Sequence, residues 1–186
     1  MFQARRSAGW LMLAPSTVAL ALALGVLFAR PDAALGQAQS TAQQGCLNAL
    51  NKAGAKVART QGKENAGCVK NAGKGTVADA QACLAADPKL KVSKAKAKTI
   101  ATESTKCPAA PDFGVAPSAQ INAAAADQEV ALTADVFGAN LTAAIILASI
   151  DKAGASCQAA VVKAYEKLAA TKLKTFLKCK KDGLKA

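Results

Sequence analysis

"CLNALNKAGAKVARTQGKENAGCVK" (residues 46–70) and "CQAAVVKAYEKLAATKLKTFLKCKK" (157–181) align without a gap, and each carries a second cysteine twenty-two residues after its first, Cys68 and Cys179. Lys52/Lys163, Ala53/Ala164, Lys56/Lys167 and Lys70/Lys181 coincide in the same alignment. A shared interval of this kind is the mark of an internal repeat. In the first stretch Cys46, Leu50, Ala53, Val57, Thr60, Glu64 and Cys68 recur at steps of three and four; in the second the same slots hold Cys157, Val161, Ala164, Leu168, Thr171, Thr175 and Cys179. Those are helical intervals. Twenty-two residues at about 100° each return to within about 40° of the start, so both cysteines of a pair lie on one stripe. A helix of that length holds its ends roughly 33 Å apart, whereas a disulfide needs Cα atoms about 4.4–6.8 Å apart. Each cysteine must therefore find its partner on another element.

Cys83 and Cys107 supply a third pair, spaced at twenty-four. "NAGKGT" (71–76) is Gly-rich turn sequence between the first pair and the third. The midpoints of Cys46/Cys107 and Cys68/Cys83 coincide within one residue at that turn. An antiparallel hairpin therefore brings both pairs into register, predicting the bonds Cys46–Cys107 and Cys68–Cys83. Thr76 and Asp79 form a capping signal for a helix from Val77, and Asp87 followed by Pro88 reads as a break and a fresh helix start. "KLKVSKAKAK" (89–98) alternates like a strand. Ala and Lys are poor strand formers, however, and Leu90, Ala97, Ile100, Ser104 and Cys107 continue at helical spacing, which favours helix.

Pro108, Pro111 and Pro117 mark a linker, after which Ser118 caps a helix to about Val136 and Gly138 stops it. From Pro108 to Asp151 there is no Lys or Arg, while Asp112, Asp127, Glu129, Asp135 and Asp151 occur. An acidic middle thus separates a basic hairpin from a basic C-terminal helix. The middle is expected to turn Ile121, Val130, Leu132, Val136 and Phe137 inward against the hairpin, its carboxylates facing Lys. Residues 140–157 are expected to run straight into the second repeat. The fold class is all-α, an antiparallel helical hairpin or bundle stapled by disulfides, with helices near 42–71, 77–86, 88–107, 118–136 and 140–182.

The chain opens with Arg5 and Arg6, an apolar run from Trp10 to Phe28 and then small residues at Ala34 and Gly36. That order is a secretory signal peptide, with cleavage expected after Gly36. The domain reading is 1–36 signal peptide, 37–107 stapled hairpin, 108–138 acidic helical middle, and 139–186 a long helix beginning the second repeat. A secreted or periplasmic location follows, and with it disulfides as the default state of the six cysteines. Removing 1–36 leaves twenty Lys and Arg59 against eleven carboxylates.

The chain has no His, which excludes Ser–His and Cys–His nucleophile systems. No two cysteines are closer than fifteen residues, against the closely spaced pairs of structural zinc sites. Ser93 and Lys96 match Ser-x-x-Lys but lack the companion motifs of acyl-enzymes. Asp127 and Glu129, two apart on a helix, point in different directions. Asn140-Leu141-Thr142 fits a glycosylation acceptor only formally. No catalytic residue, cofactor or metal site is assigned, and the reading is not an enzyme. Lysines attract phosphate, anionic headgroups and acidic polymers. Specific nucleic-acid readers lean on Arg forks and stacking aromatics, nearly absent here, so sequence-specific nucleic-acid recognition is not expected.

The pairs Cys46–Cys68, Cys83–Cys107 and Cys157–Cys179 make the chain resemble a loose group of uncharacterised secreted bacterial proteins with tandem Lys/Ala-rich helices bounded by cysteines. That resemblance implies no activity. The function expected is a non-catalytic helical scaffold or binding protein, the alternative being a polycationic binder of anionic cell-surface or extracellular polymers or of a membrane surface. Cys157 and Cys179 have no partners under the repeat logic. Either the chain is a fragment, with partners near positions 194 and 218, or two copies join in an antiparallel homodimer through those residues.

Overall fold

The computed structural model describes residues 39–185, all within one compact unit spanning 37–186. The signal-peptide reading falls on residues outside these. Among the described residues the secondary structure is entirely helical: α1 (Thr41–Gly73), α2 (Ala80–Ala85), α3 (Lys91–Lys106), α4 (Ser118–Phe137), α5 (Leu141–Ala144) and α6 (Lys152–Gly183). α1 is the spine, packing against α2, α3, α4 and α6.

Ser40 starts α1 with a capping box, its Oγ accepting from Gln43 N while Gln43 Oε1 accepts from Ser40 N. α1 ends in a turn where Gly75, at φ +74°, donates to Ala72 O, and Thr76 N closes on Asn71 O. Only glycine adopts that φ without strain, so the sequence chooses where the hairpin turns. Asp79 then caps α2, its Oδ1 accepting from Ala82 N. The chain returns antiparallel. Cys68 meets Cys83 with Cα atoms 5.7 Å apart, and Cys46 meets Cys107 at 4.8 Å. Both predicted bonds are present.

The alternating stretch 89–98 lies mostly in helix α3, as expected. Asp87 caps it from further upstream than the Asp-Pro reading implied. Its carboxylate accepts from Lys91 N and Ser93 N, both at 2.7 Å, across a turn that puts Leu90 in the left-handed region at φ 52°. The buried face of α3 is Val92, Ala95 and Thr99, whereas Leu90 and Ile100 are exposed. The Pro-rich linker is laid back on the start of α1, where Gln39 Nε2 donates to Phe113 O and Gln43 Nε2 to Ala110 O.

α4 runs parallel to α1 and antiparallel to α3, with Asn122 Nδ2 donating to Lys96 O and Ser118 Oγ to the Glu103 carboxylate. Its buried positions are Ser118, Asn122, Ala126 and Thr133. Val130 and Phe137 pack against the core and Ile121 against Gly54, as expected of the inward set, and Leu132 is half-buried; Val136 is exposed, which removes it from that set. Small residues take the inner positions because α4 approaches α1 closely. A Cβ on Gly54 would lie 2.5 Å from Ile121 Cγ2. Gly54→Ala should therefore lose about 1 kcal/mol, overpacking outweighing the gain in helix propensity. Gly45→Ala, in the same helix with nothing within 4 Å, should gain about 0.5–1 kcal/mol. Paired urea melts check this, and equal shifts would show that the α1–α4 contact yields.

The expected continuous helix over 140–182 is broken. α5 stops at Ala144, and α6 begins only after Asp151, whose Oδ1 accepts from Gly154 N. Between them the backbone finds partners outside a helix. Gln158 Nε2 donates to Ala144 O, Gln158 Oε1 accepts from Ile146 N, and Ala148 N donates to Gly73 O at the end of α1. That break reverses the chain, so α6 lies antiparallel to α1, with Gly73 beside Ala155 and Asn51 beside Lys180. These bonds replace part of the helical ladder that the break gives up.

Candidate polyanion-binding face

Lys52, Lys56, Arg59 and Lys63 follow one another in α1 at steps of four, three and four, so they form a single stripe. α3 adds Lys91, Lys94 and Lys98 on one side, and α6 adds Lys174, Lys178 and Lys181 on the other. The α1–α6 groove has a volume of about 660 Å³ and the α1–α3 groove about 470 Å³; Lys56, Thr60 and Lys63 line both. The two grooves therefore form one surface with four cations from α1, three from α3 and three from α6. Glu64 is the one carboxylate lining them, and its Oε1 sits 2.7 Å from Lys91 Nζ. The α1 stripe alone covers roughly 16 Å along the axis. Such an arrangement attracts extended polyanions through additive field and counterion release, without geometry for a single small anion.

At the edge of this face lies a recess of about 180 Å³ lined by Arg59, Lys63, Glu129, Glu166, Lys167 and Ala170. Glu129 and Glu166 hydrogen-bond each other across the α4–α6 contact. Burial, then the neighbouring Glu129 charge and hydrogen bond, push Glu166 up to about 8 from its ordinary 4.5. Burial also raises Glu129, against the Glu166 hydrogen bond, which lowers it. Glu129 Oε2 and Glu166 Oε1 are buried without a hydrogen-bond partner. Gly62 of α1 makes room for the pair, since a Cβ there would overlap the Glu166 carboxylate. Below it, Asn65 Nδ2 donates to Glu129 O and Thr133 Oγ1, and Tyr165 Oη donates to Thr133 Oγ1. Burial first, with the two glutamates adding to it, pushes Tyr165 up to about 12.

Sequence reasoning paired Glu129 with Asp127 only to dismiss the pair. Its true companion is thirty-seven residues away on α6, and the expectation that the middle carboxylates face lysines fails at Glu129. The one usable signal was Gly62, an isolated glycine inside a helical pattern, which points to close packing.

A third groove of about 700 Å³, lined chiefly by apolar side chains including Ile121, Leu132, Leu173 and Phe176, runs between α1, α4 and α6. Cys157 and Cys179 are exposed thiols, not brought together. Ser93 is exposed at the start of α3, its N–H bound to Asp87. Asn140 caps α5, its Oδ1 accepting from Ala143 N, and Thr142 Oγ1 donates to Asp79 Oδ1. Among the described residues no three His, Cys, Asp or Glu side chains converge as metal ligands, and no helix is long and apolar enough to cross a membrane. Comparisons with protein-family models, curated proteins and solved structures give no match.

Proposed function

We propose that this chain is an extracytoplasmic, non-catalytic binding protein whose ligands are extended anionic polymers. The observation that carries the reading is the gathering of ten cations from three helices onto one face with a single carboxylate among them. Eleven further cations of residues 37–186 lie elsewhere, so what sets this face apart is the near-absence of carboxylates among its ten. Two disulfides, each with one buried cysteine, support an oxidising compartment, in line with the leader-like N-terminus. The converging glutamates do not favour an enzyme: each spends its carboxyl on the other, and the oxygens left over are buried.

Binding of a fluorescent sodium polyphosphate should weaken about fiftyfold or more between 50 and 200 mM salt, as neutralising roughly four phosphates requires. Lys52→Glu/Lys56→Glu/Lys63→Glu should abolish that binding at 100 mM salt. Lys74→Glu/Lys106→Glu/Lys152→Glu, equal in charge change but at residues that line neither groove, should weaken it only a fewfold. Equal losses in the two triple variants, or binding indifferent to salt, would refute the reading.

A further inference from the structure

On α1 the stripe carrying Cys46 and Cys68 is sealed: Leu50 is 1 % and Val57 0 % exposed beneath the returning chain. On α6 the aligned stripe carrying Cys157 and Cys179 lies open, with Val161 41 % and Leu168 56 % exposed. The side of α6 that seats against the protein is a different one, carrying Gln158 and Val162. Both cysteines and the apolar residues between them therefore share a face that no other described residue covers.

The occupant of that face has to present two thiols at the same separation. The chain has six cysteines, four of them already bonded, and the last two stand roughly 33 Å apart along one helix. No bond within these 186 residues is open to them. Another α6, laid antiparallel, offers the required spacing by symmetry, and the two-fold axis then passes through Leu168, the midpoint of residues 157 and 179. The stripe itself carries no charge to oppose such a contact: between the two cysteines it presents Val161, Ala164, Leu168, Thr171 and Thr175.

We propose that the outer face of α6 docks on the same face of a second copy, each Cys157 bonded to Cys179 of the partner subunit. Four thiols form two disulfides, and two molecules of a small oxidised disulfide accept the electrons and protons and leave as four thiols. Each bond proceeds by thiolate attack through a mixed disulfide.

The test uses the full chain with its two internal bonds intact and residues 157 and 179 reduced, oxidised with glutathione disulfide and followed on non-reducing gels and by peptide mapping. A dimer whose new linkage is solely Cys157 to Cys179 is expected. Leu168→Lys, which sets two ammonium groups on the axis of an otherwise exposed position, should slow its formation at least tenfold. Cys157–Cys157 or Cys179–Cys179 peptides, a monomer with both thiols glutathionylated, a mixed disulfide to another protein in native material, or an unchanged rate in Leu168→Lys would each overturn the proposal.

Discussion

Replacing Cys46 and Cys107 together by alanine should lower stability by about 4 kcal/mol. The bond closes a separation of 61 residues, and tethering a loop of that size removes about 4 kcal/mol of chain entropy from the unfolded state. The Cys68–Cys83 bond closes 15 residues, for which the same arithmetic gives about 3 kcal/mol. Because the loops nest, the two together fall short of the sum. For a chain of this length, 4 kcal/mol is a drop of about 10 °C in Tm. Circular dichroism melts of the two alanine pairs, each read against the parent, check the values and their order. A loss under about 1 kcal/mol for Cys46→Ala/Cys107→Ala would show that packing alone holds α3 on α1. Alanine is the right replacement because Cys46 is wholly buried, and serine would add an unpaired hydroxyl to the loss.

Stability should fall as pH rises from about 5 to 8.5. Glu166 holds its proton to about 8 in the folded chain and releases it near 4.5 once unfolded. Between those values the folded state binds the extra proton, so the contribution is whole below 4.5 and is lost as pH climbs through 8. The pair is only half-buried, so solvent screening reduces the effect to about 2 kcal/mol, near 5 °C in Tm. Glu166→Gln should flatten the profile, because an amide donates to Glu129 at every pH, and above pH 8 this variant should melt higher than the parent. Gly62→Ala should also flatten it by displacing the Glu166 carboxylate. A parent Tm that rises over this range would mean the two carboxyls do not share a proton.

The hairpin was legible in the sequence because covalent geometry is strict. Helical spacing put Cys46 and Cys68 on one stripe, and a glycine turn midway fixed what each could reach. The α3 stretch was legible against its strand-like alternation because lysine and alanine do not build sheets. The break before α6 was not, since Ile145–Ile150 looks as helical as its surroundings. Only the Asp151 cap with Gly154 hints at a new start, and the exchange of helix bonds for Gln158 is a tertiary event. Which face of α6 turns inward was not legible either, for a related reason. Aligned positions on α1 and α6 have the same helical phase, but the neighbours packed around each helix decide which phase is inside. The basic face lay half in view: the four-three-four rhythm of Lys52 to Lys63 is in the sequence, while its extension by α3 and α6 depends on how the helices assemble.

As the chain emerges from its N-terminus, its thiols appear in the order Cys46, Cys68, Cys83, Cys107. A chain oxidised in order of appearance would join Cys46 to Cys68 and Cys83 to Cys107, the reverse of the nested pattern the fold needs. The 33-residue α1 forbids the first of these mistakes as soon as it forms, because a rigid rod holds those two sulfurs roughly 33 Å apart. Helix formation takes microseconds or less and disulfide exchange takes seconds or longer. The spine of the bundle thus acts first as a ruler, keeping neighbouring thiols apart until the correct ones arrive.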